Sequence, residues 1–570
     1  MMTVDDSYQS NWLRPITSLR TWIIRDGVVL LLFAVVALAA MYPVVTAPRS
    51  RIIGWLGDNV QYVYITGWMA QAVLLGQSPF IDPRLNYPDD LALMATDIPY
   101  LSILSVAPVT WVFGAVFSYN LIIWLSMGLS GYFTYLWVRQ ITGSRAGAAI
   151  AGLAFLLTPY RIAHAYGHLQ LVATFALPLF FWALDSVLRS STWRNLALLC
   201  GATFLVGSAA QYYLVMCLIC GVFYTLFMTI TRPIYLLRHG WQTAVSVGTG
   251  AVVSALPYLH NLNNDIYTPY DIQTTRIWSA DPLNFVLPSK LHPIWGELVE
   301  QVRPEPLWIE KTLYIGMVAG LLALIALCWP TRRYLGRRSL WAGMALVGVI
   351  FALGTDLHIN NEPIQASDPF WLPVYYLAHL PIVTFLRTWS RFGIILIFFV
   401  CLLAGLGATY LLQRLQRRQG IAVVVLCALL LIDLLPGQVE VSTLTPRPVD
   451  QWLARQPGDF AVAVLPAGNA DVNYRAMYGS LLHAKHMTAF NHPNHLPAAY
   501  RAFEQQVVDF PAPASLEAMR ALGITYVLLE RRFFDGINAP DWDSVVSQIE
   551  QASDASIVTE LDGVAVIALE

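Results

Sequence analysis

A polytopic α-helical membrane protein of about eleven spans, with a small α/β domain after the last span, is the fold class this sequence predicts. Three observations predict it. The chain of 570 residues is 56% hydrophobic but only 12% charged, whereas a soluble domain carries roughly 25% charged residues. Its apolar residues gather in stretches of near-span length, separated by small basic islands. After residue 436 the composition turns soluble in character. The first observation excludes an ordinary soluble enzyme, a disordered chain and a basic nucleic-acid binder, whereas the net charge of −2 by itself says nothing about partners.

A spanning helix needs about 20 apolar residues. Candidate spans lie near 27–47, 119–138, 146–159, 171–188, 195–210, 213–230, 243–259, 313–330, 339–355, 392–412 and 420–436. The basic islands hold Arg139 and Arg145; Arg189 and Arg194; Arg232 and Arg238; Arg332, Arg333, Arg337 and Arg338; and Arg414, Arg417 and Arg418. Arg14, Arg20 and Arg25 precede the first span. Positive residues in short loops stay in the cytoplasm. With residues 1–26 as a cytoplasmic tail, eleven spans place every island inside and 437–570 outside. The plasma membrane is the expected location, and the first span reads as an uncleaved signal anchor. A further apolar stretch, 97–117, would invert every later loop if it crossed once more. Parity therefore favours a helix pair or re-entrant piece broken at Pro108. All six cysteines lie in apolar runs, which predicts buried thiols with neither disulfides nor zinc.

On this topology the long loops, 48–118, 260–312 and 356–391, are outside and carry most of the acids not in the tail. Long ordered loops carry function. In the first, Asp58 follows Gly57, and 59–75 reads as an amphipathic helix at the headgroup boundary. There Asp58 could take a proton from an attacking hydroxyl or hold a divalent ion against a phosphate; as an alternative it caps the helix. The second outer turn, PYRIAHAYGHLQ, sets Tyr160, Arg161, His164 and His168 at a span end. The histidines, four apart, share a helix face. They could form a metal pair, an acid/base site or a phosphate cradle with Arg161, or only an aromatic, basic rim; no third metal ligand is evident nearby. In the third loop Glu310 and Lys311 either pair with each other or contact substrate. In the fourth, Arg387 and Arg391 flank Trp389 at a span mouth, where guanidiniums suit a phosphate or anchor the interface.

The tail alternates strand and helix patterns: DFAVAVLP, SLEAMRALG, ITYVLLE, DWDSVVSQIEQA and GVAVIAL. His483, His486, His492 and His495 cluster with Lys485, which reads as a polar loop rather than a metal site.

One span, a long first outer loop with its early Gly57-Asp58, amphipathic and re-entrant helices, RQITGSRAGAAIAGLAFLLTP, a polar second outer turn, a late LRTWSRFG and a soluble domain after the last span make a pattern. It resembles the GT-C superfamily of integral-membrane glycosyltransferases, in a poorly characterised bacterial branch. The resemblance implies an inverting hexosyl- or pentosyltransferase acting on the outer face of the membrane. It implies a polyprenyl-phosphate or pyrophosphate sugar donor, and a glycan, lipid or protein acceptor, with membrane lipids and no nucleic acid as partners. By that analogy Asp58 is the catalytic base or a metal-holding acid, with His168 the other metal candidate. Arg387, Arg391 and Arg161 would bind the donor phosphate, and Tyr160, His164, His168, Glu310 and Lys311 would line the substrate. A divalent cation, Mg2+ or Mn2+, is left open. A transporter or lipid flippase, or a non-catalytic scaffold with this layout, is the alternative; charges gathered at one surface and no visible repeat argue against transport.

Overall fold

The computed structural model describes residues 26–231, 233–261, 271–364, 372–380, 386–490, 498–537 and 539–570. The chain forms two compact units. The first comprises 1–45, 122–256 and 269–439; the second comprises 46–121, 257–268 and 440–570. The tail therefore shares its unit with the whole of the first predicted outer loop, 48–118.

The first unit is a helical bundle. Every stretch predicted as a span holds a helix, from Val28–Ala40 to Gln419–Leu434. Among the described residues, five helices are long and apolar enough to cross a membrane: Ala115–Thr142, Arg145–His164, Gln211–Ile230, Leu335–Ala352 and the bent run Trp389–Leu434. The run Trp389–Leu434 takes in two of the predicted spans, 392–412 and 420–436. Val28–Ala40 and Met317–Cys328 are apolar but have only 13 and 12 residues. Close packing is achieved with small residues, as lipid-embedded helices require. A Cβ on Gly407 would lie 1.9 Å from the Leu322 carbonyl oxygen, so the helices Gly393–Leu415 and Met317–Cys328 touch at backbone distance. All six cysteines are free thiols: Cys217, Cys220 and Cys401 are buried, Cys200 and Cys427 half-buried, and Cys328 exposed at the end of its helix, against expectation.

The basic islands are not all solvated. Arg337 donates two hydrogen bonds to Asp185, at 2.6 and 2.7 Å, Arg189 donates a third at 3.0 Å, and the Tyr224 hydroxyl a fourth at 2.9 Å. Asp185, 3% exposed, thereby joins residues from two of the islands.

In the second unit a five-stranded sheet runs in the order Ala555–Leu561, Val564–Leu569, Ile524–Glu530, Ala461–Leu465, His486–Met487. The last three are parallel and the hairpin Ala555–Leu569 is antiparallel. The predicted strands and both predicted helices are present. The reading missed the strand Ala555–Leu561 and the helices Pro448–Arg455, Ala470–His483 and Ala498–Gln506, whose polar residues hid their period. The histidine segment is no loop where it is described: His483 closes a helix and His486 opens an edge strand. His492 and His495 lie outside the described residues, as do Arg14, Arg20, Arg25, Arg232 and Asp265.

The helix Asp58–Leu75 is not a one-sided interfacial helix. From Asn59 to Ala70 it is buried all round, as a helix with apolar residues on every face must be. A Cβ on Gly67 would come within 2.5 Å of Leu481, so this helix lies hard against Ala470–His483. Asp58 at its start and its last turn, Val73 to Leu75, are exposed. The stretch 97–117 forms two short helices, Tyr100–Ser105 and Ala107–Phe113, with Pro108 in the first turn of the second. Neither has the length to cross a bilayer.

Candidate functional site

In the first unit a buried polar cluster is built from three separated segments. The helix Arg145–Leu156 ends before Pro159, which cannot continue its hydrogen-bond ladder. A second short helix, Pro159–His164, follows. Arg161 turns back to close the break. Its Nη1 donates to the Leu156 carbonyl at 2.5 Å, and its Nε and Nη2 donate to Thr174 Oγ1 at 2.9 and 2.6 Å. The guanidinium is fully buried and satisfies a helix end. None of its hydrogen bonds goes to the imidazoles three and seven residues on.

Those imidazoles meet, as their spacing predicts. His164 Nδ1 and His168 Nδ1 are 3.2 Å apart. The third partner comes from far along the chain. The one-turn helix Trp308–Lys311 brings Glu310, 5% exposed, beside both rings. His164 Nε2 is 3.9 Å and His168 Nε2 3.7 Å from its carboxylate oxygens. The 3-10 turn Trp389–Phe392 supplies Arg391, whose Nε and Nη2 donate to the two Glu310 oxygens at 2.9 and 2.5 Å. Tyr212 lies under the guanidinium, 4.6 Å from ring centre to Cζ. Tyr160 packs on His164 at 4.2 Å between ring centroids.

The electrostatics follow from this geometry. Burial alone would raise the Glu310 carboxyl. The Arg391 charge and its hydrogen bonds, helped by His164 and His168, instead hold it well below the usual carboxylate range. The site thus keeps a carboxylate ionised in a buried setting.

The same residues can hold a metal ion. Among the described residues His164, His168 and Glu310 form a group whose ligand atoms lie within 4.8 Å of one another. His164 Nε2 is buried with no hydrogen-bond partner among the described residues, and a buried imidazole nitrogen left unpaired is costly unless something binds it. Both Glu310 oxygens are engaged by Arg391, yet each keeps a second lone pair. The third ligand, absent from the local sequence, is Glu310.

The other predicted residues are placed as follows. Glu310 and Lys311 are not each other's partners: Lys311 faces Glu305, at 3.8 Å, because neighbours on a helical turn point apart. Arg387 is half-buried, its guanidinium 5.4 Å from the Trp278 ring centre. Asp58 belongs to the second unit. It is exposed in the first turn of its helix, and it does not cap it; Asn59 accepts from the Gly57 N–H at 3.0 Å instead. The Tyr474 hydroxyl, from the tail, hydrogen-bonds Asp58, and burial followed by that carboxylate pushes the phenol up. Sequence reading missed Tyr474, Tyr212 and the Glu310–Arg391 pair. The one available signal for the pair was opposite charge at two loop ends predicted on the same face.

Comparisons with known proteins give the following. Among curated proteins none matches this chain in sequence. Among solved structures, the oligosaccharyltransferase of Archaeoglobus fulgidus, tethered to an acceptor peptide containing the NVT sequon, is similar at 12% identity and a TM-score of 0.47, covering 90% of this chain and 70% of its own. The same enzyme in complex with Zn and sulfate is similar at 12% identity and 0.43, covering 89% and 68%. ArnT of Cupriavidus metallidurans, bound to undecaprenyl phosphate, is similar at 12% identity and 0.44, covering 97% and 98%. Residues 29–435 match the family model described as a domain of unknown function, DUF6311, and the chain belongs to that family.

Proposed function

We propose that this protein is a membrane glycosyltransferase that moves a sugar from a polyprenyl-linked phosphate or pyrophosphate donor to an acceptor at the outer face of the plasma membrane. The observation that carries the reading is the buried group of Glu310, His164, His168 and Arg391, which joins the one-turn helix Trp308–Lys311 to the ends of the span-length runs Arg145–His164 and Trp389–Leu434. Such a group is expensive to bury. It repays that cost where a charged leaving group must be received beside lipid.

The chemistry has two demands. A bond forms between an acceptor oxygen and the anomeric carbon while the bond from that carbon to the phosphate oxygen breaks. The acceptor proton must go to a base, and the departing phosphate must be stabilised. Asp58, exposed and ionisable, serves as the base. Tyr474 orients it from the tail. Arg387 and Arg391 face the phosphate: Arg387 has a more open guanidinium, and Arg391 keeps Glu310 ionised while presenting its remaining N–H groups. Arg161 has a structural part, holding the turn that carries the two histidines. Backside displacement at the anomeric carbon makes the transfer inverting.

The metal reading fits the residues. Two imidazoles and one carboxylate suit Mn2+ or Zn2+ better than Mg2+, which prefers oxygen ligands. His164, His168 and Glu310 would hold the ion, and it would supply positive charge to phosphate oxygens.

The test is Asp58→Asn in the full chain, assayed in liposomes against a panel of polyprenyl-linked sugars. The expected outcome is loss of transfer by about 10²–10⁴-fold, with melting behaviour unchanged. Activity near that of the parent in the variant overturns the assignment of Asp58. No transfer by the parent from any polyprenyl-linked sugar overturns the reading.

A further inference from the structure

Beside the site just described, the first unit contains a second buried polar cluster that transfer chemistry does not use. It is assembled where 271–311 meets 355–362. Asp281 accepts from the Asn361 N–H at 3.0 Å and pairs with Arg303 at 3.0 Å, while Arg276 pairs with Asp356 at 2.7 Å. These contacts bind the two loops together. Inside them lie Lys311, 5% exposed, and His358, 2% exposed. Lys311 Nζ lies 3.8 Å from Glu305 and His358 Nε2 3.7 Å from Asp356; Lys311 also feels the charges of Arg303, Asp281 and Glu362, and His358 those of Lys311, Arg276 and Asp281.

The loops are well bonded, but their interior is not. Arg303 Nε, Glu305 Oε2 and both ring nitrogens of His358 are buried without a hydrogen-bond partner among the described residues. Among the described residues the Lys311 ammonium has the 3.8 Å approach to Glu305 as its one ion pair. A buried unpaired polar atom costs about 1–3 kcal/mol, and native interiors tolerate few of them. Here they crowd one place. Burial lowers the His358 imidazole from its ordinary range, so it enters as a neutral ring with one donor and one acceptor.

The mixture of unpaired groups selects the ligand. Lys311 and Arg303 offer donors, Glu305 offers an acceptor, and His358 offers one of each. A phosphate or carboxylate would satisfy the donors but repel Glu305. Charge gives the same answer: Arg276, Arg303 and Lys311 are balanced one for one by Asp281, Glu305 and Asp356, and the exposed Glu362 adds a further negative charge facing Lys311. No positive excess remains to hold an anion. A hydroxyl both donates and accepts, so a ligand carrying several hydroxyls on a neutral frame satisfies every group.

We propose that Arg303, Glu305, Lys311 and His358 form a binding site for an uncharged sugar ring. This rests on the glycosyltransferase reading for its biological sense: Lys311 and Glu310 share the one-turn helix Trp308–Lys311, one side chain on each cluster. The binding itself needs no transfer.

The experiment is a binding titration of the full-length protein in lipid nanodiscs. The probes are glucose, mannose, galactose and N-acetylglucosamine, beside glucuronate and inorganic phosphate. The readouts are the saturation-transfer NMR signal and the shift in melting temperature. At least one neutral sugar is expected to bind saturably, and more tightly than glucuronate or phosphate. Lys311→Gln and His358→Asn should each weaken it at least 10-fold. The melting temperature of each variant without sugar identifies any that fails to fold; if one does, the milder Arg303→Lys takes its place. Phosphate binding in preference to neutral sugars, equal sugar binding by the variants, or binding of none of these sugars overturns the proposal. Sugar binding without transfer from any lipid-linked donor leaves this site standing and removes the transferase reading. Transfer that persists undiminished in Lys311→Gln, without sugar binding in the parent, does the reverse.

Discussion

Two buried carboxylates in the helical unit make an instructive pair. Asp185 and Glu310 are both nearly inaccessible, both are reached by guanidiniums, and both are joined to residues distant in sequence. Around Asp185, two arginines and a tyrosine hydroxyl close on the carboxylate from their own helices. Around Glu310, the closure is incomplete: an imidazole nitrogen stands unpaired, and two ring nitrogens lie near the carboxylate at distances too long for hydrogen bonds. A saturated ion cluster fixes helices to one another. An unsaturated one keeps bonding capacity for something else. Burial and charge are common to both, so neither identifies a site; unused valence does.

The largest effect should separate them by activity. Glu310→Gln preserves the shape of the side chain and one acceptor for Arg391, and it is expected to lower transfer by about 10²–10⁴-fold. The Asp185 cluster should answer in stability instead. Asp185→Ala leaves Arg337 and Arg189 without their carboxylate, at about 3–5 kcal/mol. Transfer per folded molecule should be unchanged, as thermal melts paired with rate assays would reveal. Should Asp185→Ala stop transfer at full stability, the contrast between the two clusters is lost.

His483 tests whether an unpaired buried nitrogen can be purely structural. Its Nδ1 accepts from the Lys485 N–H at 3.0 Å, while its Nε2 is buried without a partner. Burial holds its pKa down to about 4. The folded state therefore binds fewer protons than the unfolded state between pH 4 and 6.5. Stability from this group is complete above the unfolded value of about 6.5 and falls as pH drops towards 4, by roughly 3 kcal/mol in all. Thermal melts of the full chain at pH 7.5 and pH 5 should show the decline, and His483→Gln should flatten it. The smallest effect concerns the ion. His164→Asn should weaken the thermal stabilisation by added Mn2+ or Zn2+ about 10–100-fold in affinity, the range seen when the surroundings of a metal are altered. A metal response unaltered by that change would remove His164 from the ion's ligands.

Much of the fold was legible before the structure. The helices were visible because apolar runs follow solvent, and a bilayer permits little else. The tail's strands showed through their alternating and continuous apolar patterns, and the pairing of His164 with His168 through spacing alone. The break at 97–117 was legible from Pro108. What failed had a common cause. The helix Asp58–Leu75 carries tryptophan and tyrosine residues that suit an interface, but its surroundings are supplied by residues more than 400 positions later.

The sequence by itself determined the material of this protein: helices apolar enough for lipid, a mixed sheet domain, and charged residues reserved for loops and helix ends. Periodicity and hydrophobicity are local, and they survive being read one segment at a time. Only the tertiary structure decided which charges are spent and which are held in reserve. Glu310 took Arg391 and the two imidazoles rather than its neighbour Lys311, because a helical turn directs adjacent side chains apart and the partner is whichever group the packing brings within reach.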